Sequence, residues 1–172
     1  MIGLDLAPRK SRVSHCRQWR LRMIDPALFD AYVATRFVVW APEGEIVLRI
    51  GERNWGLKEL MTKHGALSCA FITACNPGSV KLPDAENQVR RTELVGTVRK
   101  SGYVYFEGLG VGQDAAWPPE ASILILGISR ESAKRLGTQF GQLAIVFAEL
   151  DRSVELVFCA NEDSKIQGAR RG

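Results

Sequence analysis

Asn76 and Ser79 follow a run of ten largely apolar residues, ALSCAFITAC (66–75), and stand shortly before a helix start at Pro83 and Asp84. An apolar run without alternation reads as a strand covered on both faces. Ligands of open α/β sheets sit beyond the carboxyl ends of such strands, where the next helix N-terminus offers free backbone amides. A corner of this kind suits an anion or a polar heterocycle. The helix adds to it: at about 100° per residue, Asn87, Arg90, Leu94 and Val98 share one arc. Its inward face is thus apolar in the second half and amide and guanidinium in the first. Glu86 lies four residues before Arg90 and can pair with it. The readings left open are a ligand site built from Asn76, Ser79, Asn87 and Arg90, a buried Asn-Arg-Glu network that ties helix to loop, or a solvated first turn.

Further candidates lie downstream. Ser129 and Arg130 form a second strand-to-helix junction, which falls beside the first if strands 66–75 and 122–128 run parallel and is otherwise a plain N-cap. Residues 107–121 show no periodicity and contain Asp114, Trp117 and Glu120. A loop of that length is more often functional than idle, with Trp117 either part of a lid or a plug in the core. Glu86 and Glu120 are the acids that could serve as general acid or base. Gly108-x-Gly110-x-Gly112 lacks a lysine and precedes no helix, so it reads as a flexible loop rather than a nucleotide fingerprint. No Gly-x-Ser-x-Gly elbow is present, and His64 has no evident nucleophile partner. The two histidines and four cysteines lack metal-ligand spacing, so neither metal nor cofactor is implied.

The elements that must position these residues follow from caps and periodicity. Asp25 and Pro26 start a helix whose apolar face is Leu28, Phe29, Tyr32 and Val33. Runs 34–41 and 45–51 read as a hairpin across Pro42-Glu43-Gly44, and Asn54 caps a helix that Gly65 stops. Then come strand 66–75, a long helix from Pro83 to about Ser101, strand 103–106, strand 122–128, a helix from Ser129 to Phe140, and strands 143–150 and 154–159. This order predicts a single α/β (or α+β) domain with a mixed sheet of six or seven strands and three to four helices packed on it.

The 172 residues, 46% hydrophobic and 24% charged, suffice for one core over 25–160. Apolar stretches of about ten residues are too short to span a bilayer. With no export signal and with Cys69, Cys75 and Cys159 in apolar strands, a cytoplasmic address with reduced thiols is expected. The net charge of +4 is uneven: of 23 basic and 19 acidic residues, six basic and one acidic fall in 1–24, leaving 17 against 18. That basic extension is a nucleic-acid arm, a transit-like segment, or a loose tail preceding a start at Met23. Residues 161–172 read as a polar tail.

Four blocks in order, AYVATRF (31–37), AFITACNPGS (70–79) with DAENQVR (84–90), LGIS (126–129) and LGTQFGQLAIV (136–146), resemble the bacterial domain-of-unknown-function family 3293. The resemblance implies a bacterial single-domain protein. It puts the family's pattern on Asn76, Pro77, Ser79, Glu86, Asn87, Arg90, Trp117, Glu120 and the Phe140-Gly141-Gln142 turn, adding Gln142 to the candidate ligand-binding residues. The chain departs from that pattern at Cys75, where a tryptophan is common, and near Pro83, where a serine or threonine cap is usual. The expected function is binding of a small polar or anionic ligand, with or without catalysis on a phosphorylated or nucleotide-like compound. The alternatives are a protein-interaction module using 107–121 and nucleic-acid binding through the N-terminal extension.

Overall fold

The computed structural model describes residues 25–114 and 117–159, so the expectations for the basic extension and the polar tail lie outside the described residues. Asp25 accepts a hydrogen bond from Ala27 N and Pro26 opens α1 (Pro26–Ala34). The chain continues through the hairpin β1 (Arg36–Ala41) and β2 (Gly44–Leu48), then α2 (Trp55–Lys63), capped by Asn54. β3 (Ser68–Thr73) leads through the short turn Pro77–Ser79 to α3 (Asp84–Lys100). β4 (Tyr105–Val111), β5 (Glu120–Leu126), α4 (Arg130–Gln139), β6 (Ala144–Glu149) and β7 (Glu155–Phe158) complete the domain.

The seven strands form one curled sheet in the order β2-β1-β4-β5-β3-β6-β7. All six pairings are antiparallel, so of the two classes left open the fold is α+β, and the expected mixture of parallel and antiparallel pairs is not found. The apolar runs of β3, β5 and β6 arise because each face is covered, a condition met here without parallel crossovers. On one face, α3 and α4 bury Leu94, Val98, Ala133 and Leu136 against Ala70, Ile72, Ile123, Ile125 and Phe147. On the other, α2 buries Leu57, Leu60 and Met61 over Cys69, Leu124, Leu126 and Ala148, which covers only one end of the sheet.

Residues 107–111, expected in a loop, belong to β4, and Gly108 and Gly110 of the glycine motif are part of that strand. Glycines two apart in a strand strip side chains from a single face. At Gly108 a Cβ would lie 2.5 Å from Val38 O and 2.6 Å from the Phe71 ring, so the absent side chain admits Phe71. Gly137 plays the same part between α4 and the sheet, where a Cβ would lie 2.5 Å from Cys159 Sγ and 2.7 Å from Ile145 Cγ2.

Two helical glycines therefore separate propensity from packing. Gly96 in α3 has open space around a Cβ, so Gly96→Ala should stabilise the domain by about 0.5–1 kcal/mol. Gly137→Ala should instead cost about 1–3 kcal/mol through overpacking. Urea unfolding of both variants checks this; effects of equal sign would show that α4 is free to move off the sheet.

Candidate functional site

The end of the sheet that α2 leaves uncovered is where β3, β4 and β7 finish and β1, β5 and β6 begin. Register places Phe37 opposite Gly110, Gly110 opposite Glu120, Ser122 opposite Thr73, and Val146 opposite Leu156. Directly paired residues project on the same side, so these make a floor. α1 overhangs it: Ala27, Leu28, Ala31 and Tyr32 line the far wall, yet no residue of α1 is buried. Between helix and floor lies a chamber of about 520 Å³, closed at one side by Asn76, Ser79, Trp117, Glu120 and Gln142. A Cβ at Gly110 would meet nothing nearer than 3.9 Å, so part of this volume is the space of an omitted side chain.

The corner is built around Asn76, which is 5% exposed and left-handed at φ 47°. Asparagine tolerates this region better than other non-glycine residues. Its Oδ1 accepts from Leu82 N at 2.9 Å and Asn87 Nδ2 at 3.0 Å, its N–H donates to Asn87 Oδ1 at 3.0 Å, and its Nδ2 donates to Glu120 Oε1 at 2.6 Å. Trp117 Nε1 donates to the same Glu120 oxygen at 3.1 Å. Burial raises the Glu120 carboxyl above the usual carboxylate range, against the lowering effect of these two donors. Tyr32 reaches the corner from α1 and shares a hydrogen bond with Ser79; burial raises its phenol, and the nearby Glu120 charge adds to that.

The structure divides the candidate residues. Asn76, Ser79, Trp117, Glu120 and Gln142 line the chamber. Asn87 and Arg90 point toward the sheet as their spacing predicts, but they serve the backbone. Asn87 holds Asn76 and Leu82, while Arg90 donates from Nε to Ala74 O at 2.7 Å and from Nη2 to Phe140 O. Gln142 Nε2 donates to Cys75 O at 2.9 Å, so the 74–82 segment is fastened from two directions. Glu86 is exposed in the first turn of α3, and Arg90 spends its guanidinium on carbonyls rather than on it. Ser129 caps α4, accepting from Ser132 N, and Arg130 pairs with Glu155. Because β5 runs antiparallel to β3, that junction stands at the opposite end of β5 from Glu120, roughly 20 Å away. Trp117 is a wall of the chamber rather than a core plug. Tyr32, Phe37 and Gly110 escaped the sequence reading: Tyr32 looked like one more apolar helix residue, and Gly110 showed its meaning only once the glycine spacing of two was taken as a strand face.

Among the described residues, no Lys, Arg or His lines the chamber, while Asp30, Asp114 and Glu120 do. The walls are otherwise mainly apolar. Such a chamber can hold an apolar body and offer hydrogen-bonding groups at one corner: a carboxyl, a phenol and a hydroxyl.

Two substitutions read this geometry. Arg90→Ala should cost about 3 kcal/mol in urea unfolding, because two buried carbonyls lose a charged donor. For Glu120 the folded pKa is raised, so its contribution is fully present below about pH 4.3, the ordinary glutamate value, and is lost as pH rises through the folded value. Glu120→Gln should therefore match the wild type near pH 4 and become the more stable protein toward pH 7.5. Parallel stability profiles would mean that burial does not burden the carboxylate.

No curated protein and no solved structure matches the chain. Residues 72–145, from the end of β3 into β6, match the model of the family described as Protein of unknown function (DUF3293).

Proposed function

We propose that this domain binds a small organic molecule in the chamber beneath α1. The observation that carries the reading is the chamber itself: about 520 Å³, apolar over most of its wall, with Asn76, Ser79, Tyr32 and Glu120 converging at one corner. Ligand sites have this size and this mixture of an apolar wall with a few placed polar groups. Of the two acids considered for proton transfer, Glu120 stands in the chamber and Glu86 does not, so any catalysis would use Glu120, whose raised carboxyl suits general acid or base work. A phosphorylated ligand has less support, since the described residues of the lining offer no cationic side chain. The interaction-module reading is weaker too, because 107–111 and 120–121 of that segment are strand paired within the sheet.

The cellular setting is also inferred, as a bacterial cytoplasm. It is supported by the family resemblance and by three buried free cysteines, Cys69, Cys75 and Cys159, with burial pushing Cys69 up to about 12 and Cys159 up to about 11. Thiols so placed are unreactive core groups. No helix among the described residues is long and apolar enough to cross a membrane.

The test is thermal unfolding of the full chain against a panel of amines, heterocycles, amino acids, nucleotides and sugar phosphates. A ligand at 100 times its Kd should stabilise by about 2.7 kcal/mol. Gly110→Leu should fold, because a Cβ fits there, and should abolish the shift by filling the chamber. A shift that persists in Gly110→Leu would place the ligand elsewhere and defeat the proposal.

A further inference from the structure

We infer that the chamber selects an organic cation, an ammonium-type nitrogen on a flat apolar body, with Glu120 as the carboxylate that the nitrogen meets. The inference rests on the small-molecule reading above and adds the chemistry of the ligand. The cavity makes the site; its charge decides the occupant. Among the described residues, three that line the chamber are acidic and none is basic, so an anion would enter against like charge without a compensating side chain from them. The acids are not equivalent. Asp30 is exposed on α1 and Asp114 is engaged within the protein, whereas Glu120 is largely enclosed.

The hydrogen bonds on Glu120 fix its aim. Asn76 Nδ2 and Trp117 Nε1 both donate to Oε1, so neither is spent on Oε2. Both donors are neutral, and no ion pair to Glu120 is found among the described residues. Burying a carboxylate in that condition is unfavourable, which is why the carboxyl is raised; a bound ammonium would supply the missing charge and a charge-assisted hydrogen bond. The cations of the neighbouring segments are committed elsewhere: Arg90 to two carbonyls, and Lys81 with its Nζ 5.2 Å from the centre of the Trp117 ring. Phe37 and Phe71, 5.5 Å apart in an edge-to-face pair on the floor, offer an aromatic surface for a flat body and add to its attraction for a cation.

Three indoles that differ in one group test this on the full chain: tryptamine, tryptophol and indole-3-acetate, titrated by calorimetry at pH 7.5. Tryptamine should bind at least about tenfold more tightly than indole-3-acetate, equivalent to about 1.4 kcal/mol. In Glu120→Gln that preference should vanish while indole binding remains, and in Gly110→Leu all three should fail to bind. Equal affinities, or a preference for the acetate, with binding still lost in Gly110→Leu would overturn the cation inference alone. An undiminished tryptamine preference in Glu120→Gln would overturn the assignment to that residue. Binding of none of the three, or binding indifferent to Gly110→Leu, would bring down the chamber reading and the inference with it. The wild-type ranking decides the charge question by itself should Glu120→Gln not fold.

Discussion

The side-chain amide of Asn76 is buried where β3 leaves the sheet, and a buried amide without partners would be costly enough to unmake the turn around it. Its partners come from three separate places: the backbone at Leu82, the first turns of α3 at Asn87, and the start of β5 at Glu120. Satisfying one side chain therefore sets the entry of α3, the path of 76–82 and the direction of a carboxyl. The left-handed backbone at Asn76 belongs to the same constraint, since a right-handed or extended residue would send the chain away from these partners.

Arg90 and Gln142 carry the constraint outward. Both donate to carbonyls of residues 74–75, and Arg90 also reaches Phe140, so the corner between β3 and α3 is joined to the turn between α4 and β6. Gly78 N donates to Gly141 O at 2.8 Å across the same seam. This polar framework lies within 72–145, the span matched to the family, whereas α1 and Phe37, which complete the chamber, precede it. Framework and roof thus belong to different parts of the chain.

Much of the fold was legible because it depends on local signals. Asp25-Pro26, Asn54 and Ser129 mark helix starts with a capping oxygen, and each caps as expected. The arc of Asn87, Arg90, Leu94 and Val98 does face the sheet. Strand direction was not legible, since an apolar run is equally apolar whichever way its neighbour points, and the sites inherited that ambiguity: Ser129 moved to the far end of β5, and Glu120 came to Asn76. The identity of the groups that Arg90 meets was hidden for a different reason. A guanidinium aimed inward has the same sequence signature whether it meets a ligand or a carbonyl, and only the positions of Ala74 and Phe140 decide between them.

The absence of any buried residue in α1 bears on how the proposed ligand would be held. Floor residues belong to the sheet's packed faces, whereas no residue of α1 is fully buried and its inward contacts are half-buried ones, that of Tyr32 with Ser79 among them. Its local opening therefore belongs to the low end of the range between terminal fraying and global unfolding. An occupant that bridged α1 to the floor, as the proposed binding requires, would convert a weakly protected helix into an ordered one. The ordering entropy of nine residues would then become part of the affinity, and the residence time of the occupant would show in the amide exchange of the helix above it.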